Sequence, residues 1–171
     1  MRTNLFSLLL VLAVCGCSVQ QSQPAASYSE QARWVVLPFE NHSETPMASQ
    51  RVEALTLAAL RTYRLNAEGS HVDADPYELP RQEGRRRYTE AVAHARATGV
   101  AYGVTGAVVE WRYKSGLDGE PAVGIAMHVV DITSGDTLWS GSFSRSGWSR
   151  ESLSGTGQKV IDELVSGLLR G

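Results

Sequence analysis

The chain has 171 residues, with 16 Lys and Arg against 18 Asp and Glu, for a formal net charge of −2. That near balance excludes a nucleic-acid binder acting through bulk charge, and the length suits one domain with a substantial core. Two cysteines, Cys15 and Cys17, are too few for a disulfide framework or a cysteine zinc site in the mature chain expected below.

Arg2 and the apolar run Leu5 to Val14, broken only at Ser7, read as the charged and hydrophobic regions of a signal peptide. The run is too short to span a bilayer as a helix. It closes on Val14-Cys-Gly-Cys17, which resembles a lipobox. Small Gly16 precedes Cys17, whereas bulky Val14 precedes Cys15, so cleavage is expected after residue 16 with Cys17 as the lipidated first residue. Residues 1–16 are then a lipoprotein signal peptide; a cleaved secretory peptide without lipid is the alternative. Acyl chains on Cys17 hold a protein to a membrane by about 0.8 kcal/mol per buried methylene. They are the only attached groups expected, with no further cofactor. Losing Arg2 leaves 15 basic and 18 acidic residues, a net charge of −3. No later apolar run is long enough for a spanning helix.

Residues 17–31 are expected to form the lipidated Cys and a flexible tether, because Ser18 to Ser29 is mostly Gln, Ser and Ala with one Pro. As a coil it reaches about 20 Å. Residues 32–171 read as a single domain. Arg33 to Pro38 is an apolar first strand. Phe39 to Thr45 is a polar loop, and Met47 to Tyr63 carries Val52, Leu55, Ala59 and Leu60 at helical spacing. Pro46 suits the first turn of that helix, after Ser43 or Thr45 as cap. A short strand is expected around Val72, and Asp75-Pro76 and Leu79-Pro80 mark a turn-rich connection. Glu83 to Thr98 reads as a second helix with Tyr88, Val92 and Ala95 facing inward and Gly99 closing it. Val100 to Tyr113, Ala122 to Ile132 and Thr137 to Arg145 form a meander, with a tight turn at Thr133-Ser-Gly-Asp136. Ile161, Leu164, Val165 and Leu168 make an amphipathic final helix. The order predicts an α/β fold: a mixed sheet with a C-terminal β-meander, packed by helices.

Two stretches carry a family likeness. Val35-Val-Leu-Pro-Phe-Glu-Asn41 leads from strand to helix. Gly99-Val-Ala-Tyr-Gly-Val-Thr-Gly106 opens a meander whose second turn reads Val130-Asp-Ile-Thr-Ser-Gly-Asp-Thr-Leu-Trp139. Together they resemble the periplasmic lipoprotein superfamily of the curli secretion lipoprotein CsgG and the TolB N-terminal domain. Within it, the short length, the lack of a pore-forming insertion and the segment Ser144-Arg-Ser-Gly-Trp-Ser149 resemble the lipoproteins of Pel exopolysaccharide export. The resemblance implies a non-enzymatic lipoprotein on the periplasmic face of the outer membrane. Its implied partners are further copies of itself in a ring, the outer-membrane barrel PelB and a cationic exopolysaccharide. Ser18 rather than Asp after Cys17 resembles the sorting pattern of outer-membrane lipoproteins. The alternative is an LpoB-like activator or scaffold of a periplasmic envelope enzyme; the short tether favours export.

Individual residues suggest surfaces rather than a reactive pocket. Trp148 lies among Ser, Gly and Arg with no apolar neighbours, which suits insertion at a lipid interface. Arg145 and Arg150 flank it and would meet anionic lipid headgroups; an indole folded over the sheet edge is the alternative. Asp118 and Glu120 in the β-hairpin, and Asp73, Asp75 and Glu78 in the earlier connection, are candidates for an acidic guiding surface, repeated around a ring. Turn formation is the favoured reading for any one of these acids, because Asp-Gly and Asp-Pro are turn formers. Arg85, Arg86 and Arg87 oppose the dipole of the second helix, read as a solvated run offset by Glu83 and Glu90. His71, Asp73 and Asp75 are the one metal-like grouping, and a metal there is not expected. The sequence has no nucleophile elbow, and Gly155-Thr-Gly157 lacks phosphate-loop spacing and reads as a helix lead-in.

Overall fold

Apolar alternation along residues 102–146 builds the centre of the fold. The computed structural model describes residues 18–22, 28–29, 31–72, 80–115, 119–148 and 150–170. The meander consists of β5 (Tyr102–Tyr113), β6 (Pro121–Asp131) and β7 (Thr137–Ser146). Before it come β1 (Ser18–Ser22), β2 (Arg33–Val36), β3 (Glu40–Asn41), α1 (Ala48–Thr62), β4 (Asn66–Gly69) and α2 (Pro80–Ala97); α3 (Leu153–Leu169) follows. Among the described residues the strands form one sheet in the order β1-β7-β6-β5-β2-β4, with β3 alongside β5. Pairing is antiparallel through β1, β7, β6 and β5, and parallel where β2 meets β5 and β4. The expected fold class, an α/β mixed sheet with a C-terminal meander and packed helices, is the one observed.

Period-two alternation sends Val123, Ile125, Met127 and Val129 of β6 to one face, where α3 covers them and α1 packs beside it. Trp34, Trp111 and Trp139 are fully buried in the same core. Each large side chain so buried contributes roughly 1.5–3 kcal/mol. Gly157 permits the close seating of α3: a Cβ there would lie 2.4 Å from the Trp111 ring. Gly155-Thr-Gly157 is therefore inside α3 rather than leading into it. Ile161, Leu164, Val165 and Leu168 are buried as expected, and Ser152 caps the helix by accepting from Gly155 N at 3.0 Å.

On the opposite face α2 covers a smaller core of Val35, Leu37, Val130 and Ile132 with Ala91, Ala95 and Val100. The expected inner face of this helix is partly wrong. Ala95 is buried, Val92 is half-buried and Tyr88 is exposed; the buried stripe is Arg87, Ala91 and Ala95, at four-residue spacing. Arg87 can lie inside because Glu53 of α1 meets its Nη2 at 3.1 Å while accepting from Phe39 N at 2.9 Å. Burial raises the Glu53 carboxyl above its usual value, against the opposing pull of the Phe39 N–H and Arg87. Gly99 closes α2 with φ 72°, as its position predicts.

Three local expectations differ. The strand expected near Val72 is β4, several residues earlier, where Leu65 and Ala67 bring the chain back beside β2. No side chain caps α1: Met47 precedes it in a left-handed conformation at φ 58°, and Thr45 instead donates to the Trp111 carbonyl. Part of the expected tether is ordered. Ser18–Ser22 pairs with β7 as an edge strand, and Tyr28 stacks edgewise on Trp34 and Tyr102 at 5.0 and 5.3 Å. An open strand edge pairs with neighbouring extended backbone whatever its side chains, so polarity conceals such a strand. Cys17, residues 23–27 and Glu30 lie outside the described residues.

Removing Arg87 leaves Glu53 buried without its cation. Arg87→Met should destabilise the domain by about 3–5 kcal/mol near pH 7. Because the folded carboxyl has the raised pKa, the fold holds its proton more tightly than the unfolded chain does. The deficit relative to the parent should therefore shrink as pH falls toward 4.5, the unperturbed value. Urea unfolding of parent and variant across that range measures it.

Candidate membrane-interface site

The close seating of α3 leaves few residues between β7 and the helix, and they form a braced turn. Gly147 is buried and donates to the Pro121 carbonyl at 2.8 Å. A Cβ at Gly147 would fall 2.6–2.8 Å from Glu151, Thr156 and Pro121. Glu151 clasps the next residue from both directions: its N–H donates to the Trp148 carbonyl at 2.8 Å, and its Oε2 accepts from Trp148 N at 3.3 Å. Its other oxygen pairs with Lys159, two turns along α3. That hydrogen bond chiefly holds the Glu151 carboxyl below its usual value, with Trp148 N–H and the Arg145 charge helping. The turn thus presents Trp148 outward, 64% exposed, on a fixed base.

The surroundings are basic and aromatic. Arg150 is exposed; Arg145 is half-buried, and its Nε has no hydrogen-bond partner among the described residues. Lys114 reaches Ser146 Oγ at 2.6 Å, and Tyr113, 52% exposed, accepts from Leu153 N at the start of α3. The turn, the end of β7 and the β5–β6 hairpin therefore share one end of the sheet. Strand β1 begins there too, since antiparallel pairing sets Ser18 opposite Arg145 and Ser22 opposite Gly141. Cys17 lies outside the described residues but immediately precedes Ser18 in the chain.

Glu120 is half-buried in the hairpin, its carbonyl accepting from Lys114 N at 2.7 Å, so it sits beside the tryptophan turn. Asp118, Asp73, Asp75 and Glu78 lie outside the described residues. The two acid groups belong to different connections, one joining β5 to β6 and the other β4 to α2. Sequence reasoning overlooked Tyr113, Lys114 and the Glu151–Lys159 pair. A partner eight residues away on a helix leaves no one-turn signal, and strand-end residues gain neighbours only through the fold. No helix among the described residues is long and apolar enough to cross a membrane.

No protein-family model and no curated protein matches the chain. Solved structures do. The lipoprotein GNA1162 from Neisseria meningitidis shares the fold at 20% identity and a TM-score of 0.58, over 82% of this chain and 99% of its own. The architecture, a mixed sheet between a helix pair and a single helix, is thus one that this lipoprotein shares. A more specific likeness is to PelC. The PelC dodecamer from Paraburkholderia phytofirmans matches at 28% identity and a TM-score of 0.73, over 89% of this chain and 97% of that one. A substituted form in a second crystal lattice matches at 28% and 0.74, over 91% and 100%. The Pel-export resemblance read from the sequence holds in three dimensions along nearly the whole chain.

Gly147→Ala should cost about 1–3 kcal/mol by forcing the base of the turn apart. Trp148→Ala should stay within about 0.5 kcal/mol, because its ring is outside the core. Chemical denaturation of the two variants separates presentation of the indole from support of the fold.

Proposed function

We propose that this chain is an outer-membrane lipoprotein of Pel exopolysaccharide export that assembles as a periplasmic ring and guides the cationic polymer toward the barrel PelB. The observation that carries this reading is the exposed Trp148 on its braced turn, at the end of the sheet where β1 starts one residue after Cys17. Lipid on Cys17 and the indole would enter the same membrane surface. An indole suits that boundary because its body is apolar and its N–H polar. Arg145 and Arg150 would lie at the depth of anionic headgroups.

Ring assembly is supported by the likeness to PelC, which is dodecameric. With Trp148 against lipid, the hairpin carrying Asp118 and Glu120 lies at the membrane-proximal mouth of such a ring. Repetition turns two acids per subunit into a negative band that attracts amino-sugar cations, over a range of about 10 Å at 0.1 M salt. Asp73, Asp75 and Glu78 would add a second acidic level on a separate connection. The work assigned to the protein is electrostatic guidance, with no bond made or broken.

Full-length lipidated protein in detergent should give an oligomer by native mass measurement; a strict monomer, even with the partner barrel added, overturns the ring. Cys17→Ser should release the protein from outer-membrane fractions, and Trp148→Ala should weaken vesicle binding several-fold with the fold intact. Unchanged retention of the serine variant overturns the lipid anchor. The paired changes Asp118→Asn and Glu120→Gln should lower polysaccharide secretion while leaving assembly unaltered; normal secretion removes the guiding role from the hairpin.

A further inference from the structure

Of the four histidines, two have conventional partners: His42 meets Glu40 at 2.8 Å and His128 meets Ser140 at 3.0 Å. His71 and His94 have only each other. Both are exposed, their ring centres are 5.9 Å apart at an interplanar angle of 31°, and neither has a hydrogen-bond partner for its ring nitrogens among the described residues. They come from different elements. His71 follows β4, and His94 occupies the last turn of α2.

Their meeting is enforced by the core beneath them. Val72, next to His71, packs against the cluster containing Ala91 and Ala95, and its carbonyl accepts from Arg87 Nε at 3.4 Å. His71 is thus held over α2 by its neighbour, while His94 is fixed by the helix. Two imidazoles on one zinc ion, with nitrogens about 2.0–2.1 Å from the metal, have ring centres roughly 5–6 Å apart. The observed 5.9 Å separation of the ring centres falls in that interval.

We propose that His71 and His94 form a two-histidine chelate for a borderline divalent transition metal such as Zn²⁺ or Cu²⁺. Among the described residues no third His, Cys, Asp or Glu joins them, so water fills the remaining positions. Neutral imidazole disfavours hard cations, so Ca²⁺ should not compete. A bound ion would bridge the ends of the segment 71–94, joining the end of α2 to the chain leaving β4.

Full-length lipidated protein in detergent, titrated with ZnCl₂ by calorimetry, should take up one ion per chain. His71→Ala and His94→Ala should each weaken binding at least ten-fold, the double variant should bind no more tightly than either single one, and CaCl₂ should give no heat. His42→Ala and His128→Ala should bind as the parent does. Spectroscopy of the unsubstituted protein loaded with Cu²⁺ should show two nitrogen ligands, a readout independent of how any variant folds. Absence of Zn²⁺ binding, binding unaffected by loss of either histidine, or a copper spectrum lacking two imidazole nitrogens overturns the site.

Discussion

The contact between Trp111 and Gly157 sets the geometry on which the rest of the molecule depends. Only a residue without a Cβ lets α3 approach the meander closely enough for its apolar stripe to cover β6 and β7. With the helix that close, the chain from the end of β7 to the start of α3 is drawn taut. Gly147 is pressed between Pro121, Glu151 and Thr156, and the next residue, Trp148, is exposed.

The same end of the sheet gathers parts that are distant in sequence. Antiparallel pairing of β1 with β7 carries the first described residues to the tryptophan turn, and the Pro121 carbonyl fastens the β5–β6 hairpin beside it. In the proposed arrangement the lipid and the indole act as two points of attachment, which define an orientation where one defines only a tether. The hairpin acids then inherit their position from the anchor. Elsewhere, the Glu53–Arg87 pair joins the loop after β2, α1 and α2.

How far the sequence could be read depended on whether one interaction dominated each segment. The meander and α3 were legible because their patterns repeat, period two in Val123 to Val129 and helical spacing in Ile161 to Leu168. Trp148 was legible as an exposed candidate because its neighbours are polar. The inner face of α2 was misread because Arg87 counts as a surface residue until Glu53, from another helix, neutralises it. The cap of α1 was misread because Thr45 was engaged by the Trp111 carbonyl. Strand β4 was placed too late because Val72 is apolar, yet it faces α2 after the strand has ended.

The sequence by itself determined the class of the domain, the order of its main elements and the likeness to Pel-export lipoproteins, because these follow from local periodicity, turn chemistry and short motifs carried on consecutive residues. Only the tertiary structure decided which edge β1 occupies, that Arg87 is buried, that His71 meets His94, and that the start of β1, the hairpin and Trp148 converge. Those are matters of which distant surfaces satisfy one another's backbone groups, charges and volume. A one-dimensional pattern records what each segment must bury or expose, but not which partner does so.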